Sequence, residues 1–318
     1  MFSEKDIKYR TVLFLNAIEG RSLSVRNGEL LISETQTGTT VSKLAFQKLL
    51  AVFVIGKCSI TSPVVESLSK HGVAFCLLKE SLRPLLWKAD MAEGNYLLRR
   101  RQHTFEKENI SIAKVLIRNK TENQARLLQR YPDTEQTVLT LETITERISN
   151  TDSYEDLMLL EAKAAKHFFS KWFRNFDFSG RKPRIKSNPV NASLDIGYTV
   201  LFNFVESNLR LFGFDLYVGV YHRLFFERKS LVCDIMEPFR CIVDMETRKS
   251  FSNKTFKNSD FKEKNKAFTL QPGKSYQYCK TYAQAILTYK IDIFRYVRDY
   301  YRSFMKGNAP EKYPVFLI

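Results

Sequence analysis

Histidine and tryptophan are scarce in this chain, which has four histidines and two tryptophans among 318 residues. The five cysteines are widely spaced and form no Cys-x-x-Cys pair, so the sequence predicts neither a zinc knuckle nor a disulfide framework. No apolar run approaches the roughly 18 residues that a membrane-spanning helix needs. The charged N-terminus, MFSEKDIKYR, lacks the apolar core of a signal peptide. We therefore expect a cytoplasmic protein that does not enter a membrane and whose thiols are reduced.

The sequence also lacks the short motifs of several large enzyme classes. It contains no GxxxxGK[ST], GxGxxG, HExxH or GxSxG sequence. Each of these motifs works only when its residues stand at a fixed spacing. Nothing in the chain therefore indicates nucleotide hydrolysis, a dinucleotide cofactor or serine hydrolase chemistry.

Acidic residues are too few to balance the basic ones. The chain has 50 Lys and Arg but 34 Asp and Glu, a net charge of +16 and a pI near 9.5. A surplus of this size predicts a polyanionic partner, and nucleic acid fits better than a membrane surface. Residues 1–95 hold 12 basic and 9 acidic side chains, whereas residues 96–318 hold 38 and 25. We expect the polyanion to bind mainly to the second part.

The hydrophobic pattern changes along the chain. From Thr11 to about Leu86, short β-branched and aromatic runs alternate with turn residues, which predicts strands. The Asn27-Gly28 pair predicts a two-residue type I′ hairpin, and residues 63–70 predict a short helix that starts with a proline. After about Glu93, apolar residues recur at spacings of three and four, which predicts helices.

The predicted fold class is α+β. A small N-terminal β-sheet domain, sandwich-like, is expected at residues 1–90, followed by a larger all-α catalytic domain at residues 91–318. The predicted helical segments are approximately 95–130, 136–148, 154–176, 191–212, 230–247 and 275–306. Basic polar loops are expected between them, at 177–189 and 249–274.

Glu161 is the first candidate site residue, because it lies within the apolar stripe of LMLLEAKAAKHFF. It stands four residues from both Leu157 and Ala165, which belong to the same face of the helix. A buried, unpaired carboxylate is costly, so Glu161 requires a cation or a salt bridge to a neighbouring helix. Its position alone leaves both possibilities open.

Asp234, Glu237 and His222 form a second candidate group. The two acids are three residues apart among apolar neighbours, on one face of a predicted helix. They repel each other unless a cation or a shared proton intervenes, although an acidic first turn before Pro238 is an alternative. His222 precedes Asp234 by twelve residues, and a lone histidine is more often structural. Together with Glu161, these residues supply three carboxylates and an imidazole, a ligand set for a hard divalent cation.

The candidate residues lie in or beside three stretches: LEAKAAKHFF, NASLDIGYTVLFNFVESNLRLFGFDLYVGVYH and KSLVCDIMEPFRCIVD. These stretches resemble the family of CRISPR-associated adaptation integrases and endonucleases that capture new spacers. The similarity also includes the N-terminal β part and so covers almost the whole chain. It implies an N-terminal dimerisation domain, and an Mg²⁺ or Mn²⁺ site formed by Glu161, His222 and Glu237. Asp234 would be an accessory catalytic acid in the same pocket.

The resemblance implies a CRISPR adaptation integrase. Such an enzyme inserts prespacer DNA at the repeat ends of the CRISPR leader–repeat array by metal-dependent transesterification through a 3′-OH. It works as a homodimer, with two dimers flanking a small ferredoxin-like partner protein. A structure-specific metal-dependent DNA endonuclease and a non-catalytic basic DNA-binding protein are the alternatives. The candidate DNA-binding residues are Arg99, Arg100, Arg101, Arg181, Lys182, Arg184, Lys186, Arg223, Arg228, Lys229 and Arg240.

Overall fold

A computed structural model describes residues 3–17, 20–80, 82, 84–88, 94–105, 110–182, 185–222 and 225–318. A strand-rich N-terminal part is followed by a mostly helical part, as the sequence predicts. The strands of the first part are β1 (Thr11–Asn16), β2 (Arg21–Arg26), β3 (Glu29–Glu34), β4 (Thr40–Ala45), β5 (Leu49–Ile55), β6 (Cys58–Ile60), β7 (Ala74–Leu78) and β8 (Pro84–Lys88). Its helices are α1 (Glu4–Tyr9) and α2 (Ser62–Lys70).

These strands form two four-stranded sheets. One has the order β1-β5-β7-β8, in which β1, β5 and β7 are parallel and β8 is antiparallel to β7. The other has the order β4-β3-β2-β6. Leu30 and Ile32 of the second sheet share one apolar cluster with Val52 and Val54 of the first. The two sheets therefore pack face to face, which confirms the sandwich-like prediction.

Strand β5 is buried at all seven positions. Val52 and Val54 face the other sheet, while Phe53 and Ile55 belong to the cluster that continues into the helical part. Side chains alternate between the two faces of a strand, so a strand covered on both sides carries an unbroken apolar sequence. This arrangement explains the run LLAVFVI and places the first sheet between the second sheet and the helices.

The Asn27-Gly28 turn confirms the predicted hairpin. Both residues have positive φ, 52° and 75°, and they connect the antiparallel strands β2 and β3. A type I′ turn requires positive φ at both central positions, which Asn and Gly adopt most readily.

The second part contains α3 (Tyr96–Thr104), α4 (Ser111–Gln129), α5 (Glu135–Asn150), α6 (Tyr154–Trp172), α7 (Pro189–Phe212), α8 (Ser230–Met236), α9 (Arg240–Ser252), α10 (Ser275–Thr288) and α11 (Lys290–Lys306). The predicted segment 230–247 is two helices, because a 3-10 turn at Glu237–Phe239 separates α8 from α9. Pro238 has no N–H to donate to a continuing α-helix. No helix in the described ranges is long and apolar enough to cross a membrane.

One hairpin interrupts the otherwise helical second part. Strands β9 (Phe261–Lys264) and β10 (Ala267–Leu270) pair in antiparallel register within the segment 249–274, where the sequence predicts a loop. The predicted division at residues 90 and 91 falls between Lys88 and Tyr96. Since residues 89–93 are outside the described ranges, the division stays a prediction.

Two contacts of the helical part position the site. Helix α7 crosses α9 and α10 closely at Gly197, where an added Cβ would lie 2.5 Å from Val243 Cγ1 and 2.7 Å from Tyr282 Cε1. The C-terminal residues lie along α4: Asn119 Nδ2 donates to the carbonyl of Phe316 at 2.7 Å, and its Oδ1 accepts from the Phe316 N–H at 2.9 Å. Helices α4, α6, α7, α8 and α9 together surround a cleft.

Candidate active site

The cleft has a volume of about 1120 Å³ and is lined by both parts of the chain. Lys79, which follows β7, and Pro84 of β8 contribute from the first part, while the remaining lining residues come from the helical part. Glu161, His222 and Glu237 all line this cleft. The structure thus brings together three of the four residues that the sequence selects, and the fourth lies directly behind them.

Glu161 projects from the middle of α6. Its Oε2 accepts a hydrogen bond from Tyr221 Oη at 2.5 Å, and its Oε1 contacts the ammonium of Lys120. Burial and the adjacent Glu161 raise the pKa of Tyr221, so the phenol remains the donor. The side chain of Glu161 is 23% exposed, which leaves it accessible from the cleft.

Glu237 is more deeply buried, with 2% of its side chain exposed. Its Oε2 lies 2.7 Å from Lys120 Nζ and 2.7 Å from Arg240 Nε. Burial opposes its negative charge, but Arg240 and Lys120 outweigh burial and lower the pKa of Glu237 to about 2. Glu237 is therefore ionised over the whole physiological pH range.

Asp234 is fully buried and turned towards the backbone. Its carboxylate accepts from the N–H groups of Val220 at 2.6 Å, Tyr221 at 3.0 Å and His222 at 2.9 Å. It also contacts His222 Nδ1 at 2.6 Å. Since a carboxylate accepts hydrogen bonds, Nδ1–H donates to Asp234, and in the neutral imidazole this tautomer leaves the lone pair on Nε2. Asp234 thus fixes both the loop and the tautomer of the imidazole.

Gly219 allows this close approach. A Cβ at position 219 would lie 2.5 Å from Asp234 Oδ2 and 2.9 Å from Ser230 Cβ. Contacts this short do not occur between real side chains, so only glycine fits against the carboxylate.

Lys120 is a site residue that the sequence analysis missed. Its ammonium contacts both Glu161 and Glu237, and its side chain is 11% exposed. Burial disfavours its charge, yet the two carboxylates raise the pKa of Lys120 above its ordinary value. One signal was available: Lys120 lies three and four residues from the buried Ile117 and Leu116, on the apolar face of α4.

A second polar group lies further along the cleft. Tyr198 Oη donates to Asp244 Oδ1 at 2.5 Å, and the Arg240 guanidinium lies 4.6 Å from the centre of the Tyr198 ring. Burial raises the pKa of Asp244 to about 7 despite the opposing effects of Tyr198 and Arg240. Asp244 could not be selected from the sequence, because a single acid within a helix carries no distinctive spacing.

Residues 17–284 match the family model of the CRISPR associated protein Cas1. The chain belongs to the Cas1 family. This finding confirms the family that the sequence resembles. A CRISPR-associated endonuclease Cas1 of Thermodesulfovibrio yellowstonii is 29% identical over 259 residues, which cover 77% of this chain and 81% of that protein.

Two solved structures share the fold of this Cas1-family chain. The Cas6-RT-Cas1–Cas2 complex contains a chain with a TM-score of 0.77 and 20% identity, covering 97% of this chain and 36% of that one. A casposase bound to its integration product has a TM-score of 0.76 and 19% identity, with 97% and 96% of the two chains covered. At these identities the similarity establishes the α+β fold and its order of parts.

The donor set fits a divalent cation in kind. Two carboxylates, Glu161 and Glu237, converge on one positively charged group, and His222 lines the same cleft. Within the described ranges, however, no three His, Cys, Asp or Glu side chains are close enough together to hold a metal. The Lys120 ammonium stands between the two glutamates.

The predicted DNA-binding residues have different surroundings. Lys186 and Arg240 line the cleft, as does Arg181, which pairs with Asp195 at 2.5 Å. Lys182 and Arg100 are exposed, and Arg228 is half-buried beside the Cys233 thiol. The positions of Arg184 and Arg223 lie outside the described residues.

Three other predicted DNA-binding residues contact the protein itself. Arg99 Nε donates to the carbonyl of Gly213 at 3.1 Å, where α7 ends. Arg101 lies over the ring of Phe304, with its guanidinium carbon 5.8 Å from the ring centre. Lys229 Nζ donates to the buried Glu206 at 2.7 Å. These contacts give the three residues structural roles, so the cleft residues are the better candidates for DNA contact.

Proposed function

We propose that this Cas1-family protein is a CRISPR adaptation integrase that inserts prespacer DNA at the repeat ends of a CRISPR array. The observation that supports the proposal is the convergence of Glu161, Glu237 and His222 in one cleft with basic walls. The named relative is a CRISPR-associated endonuclease, and a casposase bound to an integration product has the same fold. Phosphodiester chemistry on DNA agrees with the residues of the cleft, with the named relative and with the casposase fold.

The proposed reaction exchanges one phosphodiester for another. The 3′-hydroxyl oxygen of the prespacer forms a bond to phosphorus, and the bond from that phosphorus to the 3′-oxygen of the repeat strand breaks. The attacking hydroxyl loses its proton and the leaving oxygen gains one, so bonds and charges balance. Because the number of phosphodiesters is unchanged, the reaction requires no nucleotide as energy source.

The proposed ligands are Glu161, His222 and Glu237, and the cation is Mg²⁺ or Mn²⁺. Such an ion, when bound, would neutralise charge on the phosphoryl oxygens and on the leaving oxygen. His222 is assigned to binding through Nε2, because Nδ1–H already donates a hydrogen bond to Asp234. Asp234 acts in this proposal as the residue that orients the imidazole rather than as a second acid.

The side chains of the cleft walls would hold the DNA. Arg181, Lys186 and Lys79 line the cleft around the acidic cluster and can pair with phosphates. The aromatic face of Tyr198 is covered by Arg240 and is therefore not available for base stacking.

The assembly is also part of the proposal. We expect a homodimer formed through the N-terminal sandwich, with two dimers flanking a small ferredoxin-like partner. The fold shared with the Cas6-RT-Cas1–Cas2 complex supports a protein partner. The proposed location is the cytoplasm, where the chromosomal array lies.

The test is strand transfer in vitro. Purified protein is mixed with Mn²⁺, a short duplex with 3′-OH ends and a supercoiled plasmid that carries a repeat array, with and without the small partner. Glu161→Ala should abolish joining while leaving DNA binding nearly intact. Glu142→Ala, an exposed acid on α5, is the matched control. Joining by Glu161→Ala at the wild-type rate would refute the site, and binding without any joining would favour a non-catalytic role.

A metal-dependent, structure-specific DNA endonuclease is the second candidate, because the relative from Thermodesulfovibrio yellowstonii is named an endonuclease. Water would replace the 3′-hydroxyl as the nucleophile at the same cluster. Branched duplexes distinguish the two reactions. Cleavage that exceeds joining at every DNA structure tested would favour the nuclease.

A further inference from the structure

Lys120 occupies the place where two of the proposed metal ligands meet. Its Nζ contacts Glu161 Oε1 and lies 2.7 Å from Glu237 Oε2. Two ionised carboxylates this close repel each other strongly unless a positive charge lies between them. The ammonium provides that charge in the structure as it stands.

Arg240 contacts the same oxygen of Glu237 but differs from Lys120 in its setting. Its guanidinium lies over the Tyr198 ring at 4.6 Å and is planar, so packing restrains it. Lys120 has a flexible four-carbon side chain and is one of the residues that line the open cleft. Arg240 can therefore hold Glu237 in place while the Lys120 ammonium moves.

A divalent cation and an ammonium cannot both lie between the same two carboxylates. Their mutual repulsion at contact distance is large, because burial weakens dielectric screening. Entry of the metal must move Nζ away from the two carboxylates. The cleft is the open side, and a DNA phosphate there would be an anion for the displaced ammonium.

We propose that Lys120 is a resident counter-cation of this site, which keeps Glu161 and Glu237 together before metal binds and competes with the metal for them. The inference rests on the proposed metal-dependent function. It makes Lys120 a positioning residue that sets metal affinity. Removing its charge should increase the affinity for the metal and lower the stability of the metal-free protein.

Calorimetric titration with Mn²⁺ in the absence of DNA tests this inference. Lys120→Met keeps the length of the side chain and removes the charge, and we expect it to bind Mn²⁺ roughly ten-fold more tightly than wild type. The melting temperature without metal should fall, and Mn²⁺ should restore it more than it does in wild type. Lys114→Met, also on α4, is the control, since Lys114 Nζ contacts the Thr151 carbonyl at 2.9 Å.

The outcomes separate this inference from the proposed function. Wild-type protein that binds Mn²⁺ with the same affinity as Lys120→Met would overturn the counter-cation role alone. If neither protein binds Mn²⁺, both the role and the proposed function fail.

A second measurement uses wild-type protein and does not depend on the folding of a variant. An amine-reactive reagent is applied with and without Mg²⁺, and the modified lysines are identified by mass spectrometry. Displacement by metal should increase the modification rate of Lys120 and leave that of Lys114 unchanged. Equal rates for Lys120 in both conditions would overturn the inference.

Discussion

Asp234 arranges the site without facing the cleft. Its carboxylate accepts from three successive backbone N–H groups and from His222 Nδ1, so one buried side chain determines where the imidazole lies. Residues that orient a metal-binding histidine often affect affinity as much as the ligands do. The charge of Asp234 and the shape of its surroundings are therefore both testable.

Gly219→Ala tests whether the Asp234 carboxylate needs the open space that a glycine leaves beside it. The new Cβ would lie 2.5 Å from Asp234 Oδ2, so the carboxylate must move and the His222 loop with it. Overpacking of this kind costs about 1–3 kcal/mol. We expect a lower melting temperature and weaker Mn²⁺ binding, measured by calorimetry. Gly94→Ala is the control, because nothing lies within 4 Å of a Cβ there; equal behaviour of the two variants would contradict the role of Gly219.

The raised pKa of Asp244 should make the stability of the protein depend on pH. Burial raises its pKa to about 7, so the folded state binds a proton more tightly than the unfolded chain. Its contribution is fully present below the unfolded pKa of about 4 and is lost as the pH rises to about 7. Between these values the slope is at most about 1.4 kcal/mol per pH unit. Urea unfolding from pH 4 to 8 should show a flatter profile for Asp244→Asn.

Asp152→Asn is the matched control for that experiment, because the side chain of Asp152 is 95% exposed. Its profile should follow wild type. An Asp244→Asn profile as steep as that of wild type would show that Asp244 does not account for the pH dependence.

The site residues differ in how far the sequence reveals them. Glu161 interrupts an apolar stripe and so attracts notice, whereas Lys120 interrupts a stripe that also contains buried Asn and Gln residues and is easily assigned to the surface. The direction of Asp234 could not be predicted, since its partners are backbone groups twelve to fourteen residues away. Spacing within one helix says nothing about such partners.

At the scale of elements, α4 links the C-terminal segment to the cluster. Asn119 and Asn123 bind the backbone of Phe316, and Lys120, which lies between them in the sequence of the same helix, contacts the two glutamates. Asn123 also donates to the carbonyl of Pro238, next to Glu237. The bound segment therefore supports the helix and the turn that carry two charged groups of the site.

Asn119→Ala should loosen this contact. The buried N–H of Phe316 would lose its partner, at a cost of about 1–3 kcal/mol, while the carbonyl would keep its hydrogen bond from Asn123. We expect lower stability in urea and faster removal of residues 314–318 by carboxypeptidase. Asn150→Ala, at an exposed position on α5, is the control. Unchanged digestion would mean that Asn119 does not hold the segment.

Elements differed in how readily the sequence predicted them. The Asn27-Gly28 hairpin and the long amphipathic helices follow from local pattern alone. The β9–β10 hairpin was missed because its lysine-rich sequence lacks apolar alternation, and its base is held by distant residues. Asp260 accepts from Tyr278 Oη at 3.0 Å and pairs with Lys274 at 3.0 Å. Such tertiary contacts override weak local propensity.

At the scale of the whole molecule, the first sheet joins the two parts. Its strand β5 is buried against the second sheet on one face and against the helical cluster on the other. Asn203 of α7 donates to the carbonyl of Leu82, and Arg210 lies 5.6 Å from the ring centre of Trp87. The cleft therefore has one wall from each part, although most of the positive charge lies in the second.

Salt dependence of DNA binding tests whether both walls contact the polyanion. Each phosphate contact contributes about 0.9 to the slope of log affinity against log salt. Lys79→Gln, in the first part, and Lys186→Gln, in the second, should each reduce the slope by about that amount. The double variant should reduce it by about twice as much, because the two contacts are independent.

Lys70→Gln, on the exposed face of α2, should leave the slope at its wild-type value. Fluorescence anisotropy with a short duplex at several salt concentrations measures all four variants. A reduction for Lys186→Gln but not for Lys79→Gln would contradict this prediction and restrict the DNA to the helical part. A reduction for both would mean that the DNA lies across the cleft, where the phosphate faces Glu161 and Glu237.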